Sequence, residues 1–488
     1  MGAVTVLPTF LSANKLLVFV CLIVLSLKEG YATAEAETHT IHVASLSPSS
    51  VCTPPATAKG LDKKSSLQVI HKHGPCPQLH EEKANIPTHA QILLLDEVRV
   101  KSIHSKLAKN LGSVNVMKKD AAANLPAKDG SVVGSGNYIV TTGLGTPKNN
   151  LRLIFDTGSD ITWTQCQPCL RSCYKQQDPI FSPSSSSTYS NVTFLTNLGR
   201  YISSVYDCQI GFRSSNSPGC SSSTCVYGIE YGDSSFSIGF FAKEKLTLTS
   251  NIVFDNFLFG CGQNNQGHFG GAAGLLGLGR NKLSLPSQIA IKFKKIFSYC
   301  LPSSPSSTGF LKFGNDGLSK SVKFTTLSTI PGGESFYGIT IIAMSVGGKK
   351  LSISASVLAA GGAIIDSGTV ITRLPPTVYS ALRSAFRKQM NHYPMAKSLS
   401  ILDTCYDFSK YSTISIPKIS LFFGKDVEVS IDARGILYVN SISQVCLAFA
   451  GNSNDFDVLI YGNTQQKTLE VVYDGTRRKL GFRTGGCT

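Results

Sequence analysis

From Tyr138 onward the chain alternates short apolar runs with Gly, Ser and Asn, the pattern of β-strands cut by turns. NYIVTTGLG, LRLIFD, CVYGIEYGD, KEKLTLTS, NIVFDNFLFGCG and SVKFTTL each read as a strand. Helical periodicity is rare. It is clearest over Pro375–Tyr393, where Pro375 and Pro376 mark a helix start, and weaker over SLPSQIAIKF, residues 284–293. The Ser-rich run Phe181–Ser190 reads as a loop, and Leu301–Gly309 as a turn-rich approach to a junction between two halves. The pattern predicts an all-β class protein with a few surface helices. A chain of 488 residues exceeds one simple core, so two domains with additions are expected.

The first 130 residues differ. Lys15 precedes the apolar run Leu16–Leu27, and Ala32-Thr33-Ala34 follows. Twelve residues fall short of the roughly 20 that span a bilayer, so residues 1–34 read as a signal peptide, with a short anchor as the alternative. Residues 35–130 hold seven of the nine histidines and end in a Lys-rich run. A helix is predicted over Ala90–Asn110, with Ile92, Leu95, Val98 and Ile103 on one face. This segment reads as a propeptide; the competing reading is a disordered leader without a role. Residues 131–315 and 316–488 are then the two halves of the body.

Two stretches inside that body repeat each other. LRLIFDTGSDITW, Leu151–Trp163, and GGAIIDSGTVITRL, Gly361–Leu374, each place an aspartate directly after an apolar strand. An ionised Asp there is costly to desolvate unless it is held. In Asp156-Thr157-Gly158-Ser159 and Asp366-Ser367-Gly368-Thr369 the Gly permits a tight turn, and hydroxyls and amides can hold the carboxylate. Two such loops face to face would share one proton, because close like charges do not both ionise easily. The pair could then deprotonate a water while polarising a carbonyl.

With these motifs the chain resembles the pepsin-like aspartic proteases, and more closely their plant nepenthesin-type branch, whose shared-proton chemistry is an established case. The resemblance spans most of residues 130–488. It implies a bilobal acid-protease fold with a central cleft, Asp156 and Asp366 as the catalytic pair, and Thr157, Gly158, Ser159, Ser367, Gly368 and Thr369 as loop support. GIEYGDSSFSIGFF, Gly228–Phe241, is similar to the β-hairpin flap over the cleft, with Tyr231 at the flap tyrosine, Gly232 and Asp233 at its tip, and Trp163 in reach of the Tyr231 hydroxyl. Ser234 stands where many relatives carry Gly. AGLLGLG, Ala273–Gly279, and VLIYGNTQQKTLEVVYD, Val458–Asp474, resemble the apolar-apolar-Gly supports of the two Asp loops. The resemblance also implies protein or peptide substrates, inhibition by the protein's own propeptide and by pepstatin-type compounds, and a monomer without a cofactor. Residues 35–130 carry Lys63, Lys64, Lys101, Lys106, Lys109, Lys118 and Lys119, any of which is a candidate to pair with the cleft carboxylates until acidification protonates them.

Cys166, Cys169 and Cys173 follow Trp163 closely. A zinc site competes for this spacing, but no fourth ligand is evident nearby and the route is oxidising. The resemblance assigns these three, with Cys208, Cys220 and Cys225, to a disulfide-rich insertion of open pairing, and Cys405 with Cys446 to a disulfide of the second half. The region after SSTYSNV departs from the pattern, since Cys208 is the single cysteine of TFLTNLGRYISSVYDCQIGFR. Eleven cysteines lie beyond residue 130, an odd number, which leaves one thiol without an internal partner. Asn191-Val192-Thr193 is a glycosylation sequon.

The net charge of +16 permits affinity for acidic polymers, although the basic clusters 292–295 and 477–479 are short and read more simply as solvated surface. No stable nucleic-acid partner and no metal is expected. Three functions compete: a secreted acid endopeptidase made as a zymogen, a catalytically weak inhibitor-like binding protein on the same fold, and a plastid DNA-binding protease. The intact Asp loops favour the first. The N-terminus points to the extracellular space or wall, with the vacuole and then the chloroplast as alternatives. A serine protease is disfavoured, as His268 and His392 are the only histidines beyond the leader and no Gly-x-Ser-x-Gly elbow is present.

Overall fold

The structure, a computed structural model, describes residues 36–47, 49–53, 66–77, 87–110, 138–193, 220–221, 224–231, 235–315, 318–424 and 427–487. The signal-peptide region, most of the Lys-rich run, the tip of the expected flap (Gly232, Asp233 and Ser234) and Cys208 lie outside them.

The body is built almost wholly of strands. In the first half, Tyr138–Leu144 pairs with Asn149–Asp156, and the long strands Phe236–Thr249 and Ile252–Gln266 form a bulged antiparallel ribbon. The alternation of buried and exposed positions in Phe236–Thr249 is that of a strand with one face on a core. In the second half, Ala363–Ile365 and Leu459–Tyr461 run parallel and fully buried, as continuous apolar strands require. Pro376–Gln389 is the expected helix and buries Val378, Leu382 and Phe386. The stretch 284–293 forms two short helices, Leu285–Gln288 and Ala290–Phe293, rather than one.

The N-terminal segment is woven into this body. Thr38–His42 pairs antiparallel with Thr413–Pro417 in the second half. Ser66–His71 is an internal strand of the main sheet, bonded to Thr308–Phe313 on one side and Tyr138–Leu144 on the other. A disulfide joins Cys52 to Cys76. The described parts of residues 35–130 are therefore ordered against the body, contrary to the reading as a disordered leader.

The predicted helix is present over His89–Asn110, and its buried face overlaps the predicted one in part. Leu93, Leu95, Asp96, Val100, Ile103 and Leu107 are buried, so the expected Leu95 and Ile103 face the body, while Ile92 and Val98 are only partly covered. Leu93 packs with Val370 and Ile371, and Val100, Ile103 and Leu107 pack with Ile330, Phe336, Ile364 and Ile460. The apolar reading caught only part of the stripe because a carboxylate, Asp96, sits in its middle.

Candidate active site

Each of the two aspartates ends a strand whose neighbour is an apolar-apolar-Gly run. Asn149–Asp156 pairs parallel with Gly274–Gly277, with Gly277 opposite Asp156. Ala363–Ile365 pairs parallel with Leu459–Tyr461, directly before Asp366 and Gly462 respectively. A Cβ on Gly277 would lie 2.2 Å from the Asp160 carbonyl oxygen, and one on Gly462 2.8 Å from the Ile371 carbonyl carbon. No side chain fits at either place, which is why both runs end in Gly.

The loops then meet. The Thr157 amide donates to the Ser367 hydroxyl at 3.1 Å, and the Ser367 amide donates to the Thr157 hydroxyl at 2.9 Å. The Gly158 amide donates to Asp156 Oδ1 at 3.0 Å, and the Gly368 amide to Asp366 Oδ1 at 3.1 Å. Thr369 Oγ1 adds a bond to Asp366 Oδ2 at 2.6 Å, and Ser159 holds the corresponding place after Asp156. A Cβ on Gly158 would come within 2.8 Å of Asp366 Oδ1, and one on Gly368 within 2.4 Å of Asp156 Oδ1. Each glycine thus makes room for the other loop's carboxylate.

Both carboxylates are buried, and both are bonded to one guanidinium from the N-terminal helix. Arg99 Nη2 lies 2.9 Å from Asp156 Oδ1 and 3.0 Å from Asp366 Oδ2, and Arg99 Nε lies 3.2 Å from Asp366 Oδ2. Burial raises the pKa of Asp156; Arg99 opposes that shift and the Asp366 charge adds to it. Burial acts on Asp366 in the same direction, but Arg99, the Thr369 hydroxyl and the Gly368 amide together hold its carboxyl below the usual range. Burial disfavours the Arg99 charge, yet the two carboxylates outweigh it and keep the guanidinium protonated. The two groups of the pair are thereby pushed apart in acidity.

From the sequence, a lysine is the expected partner for this contact. A guanidinium does it instead because its planar fork reaches two carboxylates with separate N–H groups, where an ammonium is a point charge. Lys101 pairs with Glu97 at 3.4 Å, and Lys106 lies 5.9 Å from the Phe336 ring centre. Lys63, Lys64, Lys118, Lys119 and the side chain of Lys109 are outside the described residues.

The same helix makes a second polar anchor. Asp96 accepts from the amides of Val370 at 2.6 Å and Ile371 at 3.1 Å, and from Arg373 Nη2 at 3.0 Å. Glu97 takes the other arm of Arg373 through Nη1. None of Asp96, Glu97, Arg99 and Arg373 was singled out from sequence. The available signal was the run Asp96-Glu97-Val98-Arg99 inside an amphipathic helix, where an acid falls on the apolar face.

Among the other expected residues, Tyr231 accepts a hydrogen bond from Trp163 Nε1 at 2.8 Å, and both rings pack on Phe269. Cys405 is bonded to Cys446, and Cys169 to Cys173. Cys166 does not stay within the insertion; it is bonded to Cys261 on the neighbouring strand. Adjacent parallel strands bring these two together, a proximity that local spacing does not reveal. Cys220 stands opposite Cys225 in a short antiparallel ladder, and Cys300 is bonded to Cys487. Asn191 is exposed and accepts from the Tyr189 hydroxyl at 2.6 Å.

Two family models match the body: one described as xylanase inhibitor N-terminal over residues 138–315, the other as xylanase inhibitor C-terminal over residues 336–484. An aspartyl protease family protein of Arabidopsis thaliana is 55% identical over 95% of this chain and 96% of its own. Aspartic proteinase nepenthesin-2 of Nepenthes gracilis is 36% identical over 72% of this chain and 78% of its own. Among solved structures, soybean basic 7S globulin is 21% identical with a TM-score of 0.55, over 71% of this chain and 92% of its own, a likeness of fold.

Proposed function

Because the chain belongs to the plant aspartyl protease family, we propose that it is an aspartic endopeptidase, secreted as an inactive precursor and active in acid. The observation that carries this is the complete pair of Asp loops, cross-bonded through Thr157 and Ser367 and capped by Arg99. An inhibitor-like protein on this fold has no need of two buried carboxylates held this way.

In the precursor the Arg99 guanidinium fills the place between the carboxylates that a nucleophilic water needs. Residues 35 to about 130 act as the propeptide. Once they leave, a water between Asp156 and Asp366 loses a proton to the ionised carboxylate and attacks the peptide carbonyl. The protonated partner donates to the carbonyl oxygen, giving a tetrahedral diol. The carboxyl that took the water's proton passes it to the amide nitrogen as the C–N bond breaks, and the other carboxylate takes a proton back from the diol. An amine and a carboxylic acid leave with the pair's one proton restored. Tyr231 covers the bound peptide from the flap side, held by Trp163. The apolar run at residues 16–27 and five disulfides among the described residues support export to an oxidising compartment, the extracellular space or wall.

The test is proteolysis by the secreted full-length protein at pH 7 and after acidification, with and without a pepstatin-type inhibitor. Inhibitable cleavage that appears only on acidification is expected. Absence of cleavage under any condition, with tight binding to a glycoside hydrolase, would replace this reading with the inhibitor-like one. Salt-sensitive retention on DNA would favour the plastid reading.

A further inference from the structure

The Asp96 anchor has a consequence for the opened cleft. Arg373 is 1% exposed, and the partners of its guanidinium, Asp96 and Glu97, both come from the N-terminal helix. Its Nε is buried without a hydrogen-bond partner. The amides of Val370 and Ile371, four and five residues beyond Asp366, point at the same Asp96 carboxylate. Three donors of the body therefore converge on the place that the Asp96 carboxylate fills in the precursor, and a fourth, Arg373 Nη1, takes Glu97 beside it. Their backbone is firmly held, since the Asn463 amide donates to the Thr369 carbonyl at 2.7 Å and the Thr464 amide to that of Val370 at 3.0 Å. Removing the helix strips this cradle of its anions but does not remove its donors. A buried guanidinium left without an anion is costly.

We propose that Arg373, with the Val370 and Ile371 amides, forms a substrate subsite for an acidic side chain, Glu or Asp, close to the scissile bond. Asp96 is the stand-in for that side chain, as Arg99 is for the water. Asp96 and Arg99 are three residues apart on one helix face, so their side chains are neighbours about 5–6 Å apart at Cβ. An extended peptide rises about 3.3 Å per residue. The acidic residue accordingly lies about two residues from the bond that is cut. A bare main-chain carbonyl can take one amide, but a carboxylate matches the guanidinium and both amides together. The inference rests on the proteolytic reading above and adds the substrate class to it.

The experiment uses the full-length chain, activated by acid and assayed at about pH 5 on quenched-fluorescence peptides. The peptides differ by Glu against Gln at one position at a time, up to three residues either side of the cut. The wild type should prefer Glu over Gln at one position by about tenfold or more in kcat/KM, the size expected for hydrogen bonds to a charged group. Arg373→Gln should level the pair while still cleaving the Gln peptide, and Arg373→Lys should keep part of the preference. Equal rates for every pair in the wild type, or a preference unchanged in Arg373→Gln, would overturn the subsite without touching the proteolytic reading. If no peptide is cleaved, that reading fails first, and binding of the Glu and Gln peptides to the acid-treated chain by fluorescence anisotropy decides the subsite alone. If Arg373→Gln does not fold, the Glu/Gln ratio in the Arg373→Lys variant decides: an undiminished ratio counts against the role of Arg373.

Discussion

Thr157 and Ser367 exchange hydrogen bonds across the cleft, each amide donating to the other's hydroxyl over 210 residues of chain. This reciprocal pair locks the two Asp loops into one unit, so neither carboxylate is placed independently of the other. Asp156→Asn and Asp366→Asn preserve shape and should fold. Each should lower kcat by at least the ~10²–10⁴-fold typical of one acid–base group. The double variant should be little worse than either single one, because the pair acts as a unit. Cleavage rates beside thermal unfolding check this. Substantial pepstatin-sensitive activity in either folded single variant would show the pair to be assigned wrongly.

Arg99 should set the pH at which the precursor opens. Its hold on Asp366 depresses that carboxyl, and the resulting stabilisation is present above the ordinary carboxylate range near 4 and is lost as pH falls through the lowered value. Asp156, raised by burial, contributes in the opposite sense and takes up its proton first. Arg99→Gln keeps a hydrogen-bond donor and removes the charge. The midpoint of activation should move upward by about one pH unit, in keeping with the usual effect of an adjacent Arg on a carboxylate. Activity of freshly purified precursor across pH reads this, with an unmoved midpoint as the contrary result.

His71 should act over a higher window. Its ring packs edge-on against Tyr138 within the internal strand Ser66–His71. Burial first, and then the charges of Lys467 and Lys72 and the nearby His89, push its imidazole down to about 3. A released strand recovers an ordinary value of about 6.5. Between pH 6.5 and 3 the released form therefore binds a proton that the docked form does not, and falling pH favours release. His71→Phe retains the ring contact and abolishes the protonation. Precursor processing followed from pH 7 to 3 should then require a lower pH than in the wild type.

Trp163 offers a direct probe, being the only tryptophan in the chain. Its Nε1 donates to Tyr231, so Tyr231→Phe leaves a buried donor without an acceptor, at a cost of about 1–3 kcal/mol. The variant should show a changed tryptophan emission and a lower kcat/KM for peptides. Unchanged emission would mean that the bond does not form in solution.

The two Asp loops, the strand pattern of the body and the helix at Pro376–Gln389 were legible from the chain alone. Their signals are local: an apolar run, a turn residue, a hydroxyl at fixed offset. Sequence also marked residues 35–130 as different from the body, and placed a helix there nearly to its observed ends. Which face of that helix is buried was decided by tertiary structure, because Asp96 is tolerated in the stripe only where two backbone amides and Arg373 meet it. The same holds for Arg99, placed by geometry that sets one planar fork between two carboxylates 210 residues apart in the chain. Cys166 likewise finds Cys261 through strand order rather than spacing. Local chemistry is written in neighbouring residues, whereas the partner of a buried charge or thiol is set by where the folded chain brings distant segments together.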